Sequence, residues 1–314
     1  MAWLEFTVHT TAESVDHVAA ALTAKGFSDL VIEDQAELET FLDQNRAYWD
    51  YIDEQLQQKL QGLSRIKLYL EDNDADGRNR LTALAAAMEL TVDSTPLPDT
   101  DWEESWKENY PPVMVANRLA VLPYWLPESA AEGRLPVILD PGLTFGTGAH
   151  PSTQMVMAFL ENLVTPGCSC LDLGSGSGIL SIAALRLGAK DAIGVDIDPK
   201  AEDIARENAS LNGFGSPEFT ALTGNVTTDK KLMATLAGRS YDLVLVNIVA
   251  DVIIGLAPVL PNFLSENSTV ICSGILHTRL TEVIAALEQA GLSVTATAAQ
   301  EDWRSITAKR RSCL

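Results

Sequence analysis

Asp172-Leu-Gly174-Ser-Gly176-Ser-Gly178 is the segment with the most chemical content. Glycines at alternate positions permit unusual φ and let a ligand approach the backbone closely. The segment ends an apolar strand and opens a helix, whose first N–H groups add partial positive charge. A nicotinamide fingerprint, G-x-G-x-x-G, needs glycine at 179, where Ile179 stands. Asp172 is poorly placed beside a pyrophosphate and suits a ligand with a cationic amino-acid portion. Asp196, in Gly194-Val-Asp196-Ile-Asp198-Pro, ends the next strand. A carboxylate there accepts both hydroxyls of a ribose; its other available role is a helix cap. Asp198, directly before Pro199, is the better cap.

Asn247-Ile-Val-Ala250 ends a later strand of the same alternating pattern. Ligands of open α/β sheets bind at the carboxyl ends of strands. The Asn247 amide offers one acceptor and two donors, and capping the next helix is the competing role. The run from Asp140 to Thr153, DPGLTFGTGAHPST, holds three glycines and several hydroxyls just before a helix. It lacks the G-K-[ST] ending of a nucleoside-triphosphate loop. Its place before the glycine-rich domain suits a cover over a bound ligand. His150, beside Pro151 at a helix start, reads as structural rather than as a base.

These residues need elements to position them. From Cys168 onward strand and helix alternate: strands near 168–173, 192–195, 218–223, 243–246, 269–272 and 292–298, helices near 178–187, 199–211, 229–237, 249–260 and 277–290. That alternation predicts a mostly parallel, doubly wound sheet, with 303–308 as a closing strand. Upstream, strands at 2–8, 29–33, 66–70 and from 90, with helices at 12–26 and 78–89, give the split βαβ, ferredoxin-like order. Residues 35–60 are polar and mixed. Pro96, Pro98, Pro111 and Pro112 flank a short helical piece, DWEESWKENY, in which Trp102 and Trp106 share one helix face as packing anchors. Met114–Leu122 reads as one strand. The expected organisation is a ferredoxin-like domain over 1–95, a linker helix over 96–112 and an α/β domain over 113–314.

At 314 residues the chain has room for about two domains. Its charge is uneven. Residues 1–110 hold 23 Asp and Glu against 8 Lys and Arg, a net of −15. Residues 111–314 hold 20 against 14, a net of −6. So acidic a chain is a poor phosphate gripper, and no direct nucleic-acid binding is expected. The opening MAWLEFTVHT has neither the basic nor the apolar region of a signal peptide. The most apolar stretch, Leu243 to Leu264, is broken by Asn247 and Asp251, so no membrane span is expected. Cys168 and Cys170 stand on one side of a strand but do not make a C-x-x-C, and no zinc spacing occurs. Buried, reduced thiols, no metal and a cytoplasmic location follow.

Taken together, the segments resemble the Rossmann-like S-adenosylmethionine-dependent methyltransferases, and within them the PrmA family. The resemblance rests on DPGLTFGTGAHPST, DLGSGSGILSIAAL, GVDIDP, NIVADV and SGIL, with DWEESW before them and EDWRSITAKR at the end. It covers 96–314 well, and 1–95 through length, element order and the opening WLEFTV. That family methylates large-subunit ribosomal protein eleven. The resemblance implies S-adenosylmethionine as cofactor, held by Thr153, Gly174, Gly176, Asp196 and Asn247. It places Asn247 near the sulfonium and the incoming nitrogen, as the catalytic residue. It implies that lysine and N-terminal amines are modified, and that residues 1–95 hold a basic ribosomal protein of the large subunit. A monomer is expected. Related enzymes acting on adenine or glutamine amides carry N-P-P-Y where this chain has Asn247, Ile248, Val249 and Ala250. With no aromatic platform there, an aliphatic amine fits better. The rivals are a methyltransferase of RNA or a small metabolite, a nicotinamide dehydrogenase, and a scaffold with a vestigial cofactor site.

Overall fold

A computed structural model describes residues 3–11, 14–27, 30–34, 64–97, 107, 110–141 and 148–311. The chain divides into two compact units, Met1–Asn109 and Tyr110–Leu314. The first contains β1 (Trp3–Thr10), α1 (Val15–Ala24), β2 (Val31–Asp34), β3 (Ser64–Glu71), α2 (Ala75–Ala87) and β4 (Thr91–Leu97). Its sheet runs β2-β3-β1-β4 with antiparallel neighbours, the split βαβ arrangement. Strict alternation along β3 sends Ile66, Leu68 and Leu70 inward. They pack with Val15, Val18 and Leu22 of α1 and with Leu81 and Leu84 of α2. Asp74 caps α2, accepting from the Gly77 N–H at 2.8 Å. β4 continues through Pro96, which pairs opposite Leu4. The expected boundary at residue 95 thus falls inside a strand; a sheet edge tolerates proline because no outward N–H is needed there. Residues 35–60, and Trp102 and Trp106 of the linker piece, lie outside the described residues; of 101–110 only Lys107 and Tyr110 are described.

The second unit opens with β5 (Val113–Val115), β6 (Leu119–Pro123) and β7 (Leu135–Leu139), a three-stranded sheet in that order. The single strand expected over 114–122 is a hairpin instead. Ala116 turns at φ 44°, and Glu161 of α3 (Pro151–Leu163) accepts the N–H groups of Asn117, Arg118 and Leu119 at 3.2, 2.7 and 3.2 Å. A distant carboxylate, rather than local turn chemistry, closes this turn.

There follow β8 (Ser169–Leu173), α4 (Ile179–Arg186), β9 (Asp191–Asp196), α5 (Pro199–Leu211), β10 (Phe219–Thr223), α6 (Lys230–Leu236) and β11 (Tyr241–Asn247). Then come α7 (Ala250–Leu256), β12 (Leu264–Leu276), α8 (Leu280–Gln289), β13 (Leu292–Gln300) and β14 (Trp303–Arg310). The seven-stranded order is β10-β9-β8-β11-β12-β14-β13. The first five strands are parallel, and β14 runs antiparallel between β12 and β13. The strand expected to close the sheet is therefore interior to it. Along β11, Leu243 and Leu245 join one apolar cluster while Val244 and Val246 join another. Both faces of the sheet are thus covered, as a doubly wound fold requires.

Cys168, Cys170 and Cys272 are buried free thiols, and burial pushes the Cys272 thiol up to about 12. Cys313 lies outside the described residues. No helix among the described residues is long and apolar enough to cross a membrane. Glu161→Ala removes three acceptor contacts at the 116–118 turn. It is expected to lower unfolding free energy by roughly 1–2 kcal/mol in urea titration.

Candidate functional site

Strand order reverses between β8 and β11, and ligands of doubly wound sheets sit at such a switch point. Leu173 pairs with Val246, so Gly174 and Asn247 leave the sheet side by side. Gly174, Gly176 and Gly178 all adopt positive φ, 77°, 48° and 78°. A Cβ on Gly174 would lie 2.6 Å from Ile248 Cγ2. Only glycine admits the Ile248 side chain there.

Ile248 is confined from the other side as well. Gly274 on β12, at φ 79°, would place a Cβ 2.6 Å from the Ile248 carbonyl oxygen. The Ile248 N–H donates to the Ser273 carbonyl at 3.2 Å. Gly274 was not assigned a role from the sequence. Its signal is a glycine in a strand interior, which marks close backbone approach.

Asp196 closes the loop from β9. Its Oδ2 accepts the Gly176 N–H at 2.9 Å and its Oδ1 the Asp198 N–H at 3.0 Å. Each oxygen keeps a second lone pair, which suits a pair of adjacent hydroxyls. Asp196 therefore does not cap α5; Asp198 does, accepting from the Lys200 N–H at 2.9 Å with Pro199 as the first helical residue.

Asn247 is likewise no cap, because α7 begins after Val249. Its Nδ2 donates to Thr153 Oγ1 at 3.2 Å, and its buried Oδ1 has no hydrogen-bond partner among the described residues. Thr153 is fully buried in the first turn of α3. The same turn is tied to the sheet where Ser273 Oγ donates to the Ser152 carbonyl at 2.9 Å. His150 caps α3, its Nδ1 accepting the Ser152 N–H at 3.2 Å, and its ring meets Trp303 edge-on at 4.6 Å. Burial pulls its pKa below the ordinary imidazole value. A neutral accepting nitrogen fits the structural role expected for it. Residues 142–147 of the preceding loop lie outside the described residues.

The structure thus joins Gly176 to Asp196, Gly174 to Ile248, and Thr153 to Asn247. An orphaned acceptor, a carboxylate with two spare lone pairs and a glycine turn fit a ligand carrying a diol and an N–H donor or cationic centre. Among the described residues no His, Cys, Asp and Glu cluster has metal-site geometry.

Asp172 lies fully buried at the end of β8. Its Oδ2 accepts from Ser181 Oγ at 2.9 Å, and its Oδ1 has no partner among the described residues. Burial raises its pKa to about 7. The folded state therefore holds this proton where the unfolded chain has released it. Stability falls as pH rises from about 4 to about 7. Asp172→Asn is expected to flatten that slope in urea midpoints measured across the range, with no change of slope below about pH 4.

Comparisons with known proteins show the family. The family model for Ribosomal protein L11 methyltransferase (PrmA) matches residues 2–311. The ribosomal protein L11 methyltransferase of Alkaliphilus oremlandii is 34% identical over 98% of this chain and 99% of its own. That of Heliobacterium modesticaldum is 35% identical over 99% and 98%. The crystal structure of a ribosomal protein L11 methylase from Lactobacillus delbrueckii subsp. bulgaricus superposes with a TM-score of 0.57 at 30% identity. It covers 65% of this chain and 100% of that one. With a family match over nearly its whole length and relatives above 30% identity, this chain belongs to the PrmA family of ribosomal protein L11 methyltransferases.

Proposed function

We propose that this chain methylates lysine and N-terminal amines of ribosomal protein L11, with S-adenosylmethionine as donor. The observation that carries the reading is the buried Asn247 Oδ1, without a hydrogen-bond partner among the described residues, beside the glycine loop and with Nδ2 bonded to Thr153. The bound donor supplies an electrophilic methyl on a cationic sulfur. Gly174 and Gly176 would line its amino-acid portion, Asp196 would receive its ribose hydroxyls, and Thr153 and Asn247 would border its reactive end. Asn247 Oδ1 would accept an N–H of the incoming neutral amine and orient its lone pair for attack, the new N–C bond replacing the carbon–sulfur bond of the donor. A lysine amine has an ordinary pKa of about 10.4 and must first lose its proton. A neighbouring positive charge and exclusion from water both favour that loss, and water carries the proton away. The residues after Asn247 are aliphatic, which favours an sp³ amine over a planar amide or base.

In this reading the unit Met1–Asn109 receives the substrate and the unit Tyr110–Leu314 carries the cofactor site. The monomer acts in the cytoplasm and makes no direct nucleic-acid contact. Ribosomal proteins are typically basic, and the first third of this chain carries −15 of the −21 net charge. Substrate affinity is therefore expected to fall steeply between low and high salt, with the loss mainly in association rate. Salt-independent binding would return the acidic surplus to a solubility role.

The decisive experiment is intact-mass measurement of ribosomal protein L11 before and after incubation with S-adenosylmethionine. Whole-methyl increments are expected on the protein; label transferred only to RNA would sink the assignment. Asn247→Ala is expected to lower turnover about a hundredfold with a modest loss of cofactor affinity. Wild-type rates in that variant would remove Asn247 from the mechanism.

A further inference from the structure

Two asparagines one turn apart, Asn208 in the last turn of α5 and Asn212 at its C-terminal cap, are buried, with 0% and 5% exposure. Buried amides need partners, and both find them on the backbone of β7 and its exit. Asn212 accepts the Ile138 N–H at 2.9 Å and donates to the Ile138 carbonyl at 2.6 Å, in the manner of a neighbouring strand. Its oxygen also faces the Arg186 guanidinium. Asn208 differs in one respect. Its Oδ1 accepts the Asp140 N–H just beyond β7, and its Nδ2 donates to the Ser177 carbonyl in the glycine loop, each at 2.9 Å.

The Ser177–Gly178 peptide is thereby fixed at both ends. Its carbonyl is held by Asn208, and its N–H donates to the Ser175 carbonyl at 2.8 Å. Without the Asn208 amide, the Ser177 carbonyl and the Asp140 N–H lose these two bonds. Rotation of the Ser177–Gly178 plane relieves the loss. That plane sets where the loop hands over to α4, and hence the orientation of Gly174 to Gly178. We infer that Asn208 is a positioning residue for cofactor binding, bridging the glycine loop to the exit of β7 from a place no ligand reaches. The inference rests on the proposal that the glycine loop holds the cofactor.

Asn212 provides the comparison: it pins the same strand, donates to the Asn208 backbone carbonyl at 2.7 Å, and among the described residues its side chain makes no hydrogen bond to the loop. Binding of S-adenosylhomocysteine is measured by calorimetry on the full chain, alongside thermal unfolding, at a temperature where all variants are folded. Asn208→Ala and Asn212→Ala are expected to lower the melting temperature to a similar extent. Asn208→Ala weakens binding about tenfold, whereas Asn212→Ala stays within about twofold of wild type. Asn208→Ser, which disturbs packing less, is carried in parallel and is expected to weaken binding as well. Equal weakening by the Asn208 and Asn212 variants would reduce Asn208 to a packing role and overturn the inference, as would wild-type affinity in both Asn208 variants. Gly174→Ala separates the two levels. If it abolishes binding while the Asn208 variants bind normally, only the inference fails; if it too binds normally, the loop is not the cofactor site and both readings fall.

Discussion

Ile248 is wedged between two glycines, and the candidate site is arranged around that wedge. Its side chain occupies the space that a Cβ on Gly174 would fill, and its carbonyl sits where a Cβ on Gly274 would stand. Close-packed interiors leave no room to accommodate a methyl group at either contact. Three strands, β8, β11 and β12, are therefore held in one relative position at their carboxyl ends. Asn247, directly before the wedge, inherits that precision. On the proposed reading Asn247 orients a nucleophile, and that role needs such support, because small displacements at the reacting centre are costly.

A second layer of support works through backbone groups. Asp196 ties two loop N–H groups, Asn208 ties a loop carbonyl, and Ser273 ties the turn that carries Thr153. None of these bonds is large alone, at roughly 0.5–1.5 kcal/mol net. The Asp196 and Asn208 bonds restrict the glycine-rich segment itself, whose composition otherwise leaves its backbone free.

The parts of this arrangement that depend on local chemistry were legible in the sequence. The Asp198-Pro199 pair marks the start of α5, and the glycine turn after Leu173 adopts the positive φ its composition suggests. What escaped is what distant residues decide. The hairpin at 116–118 depends on Glu161, and β7 was not seen because Pro136 interrupts its apolar run. β12 begins at Leu264 rather than 269, since Ser265, Glu266 and Asn267 conceal its first turn of pairing. The roles of the site residues divide in the same way. Glycine and aspartate positions follow from spacing, but the bond between Thr153 and Asn247 joins residues 94 apart in the chain. No pattern in a single sequence reports such a pair.

The placement of β14 has a consequence for the order of assembly during synthesis. β13 pairs in this sheet with β14 alone, and β14 fills the gap between β13 and β12. When residue 300 leaves the ribosome, β13 is complete but has no neighbour, and one flank of β12 is bare. The first unit, whose strands pair within residues 3–97, faces no such wait. The acidic unit can thus be folded while the larger sheet is still open along a hydrophobic seam. Its closure must follow emergence of residues 303–310, which makes that late seam the stage most exposed to misassociation.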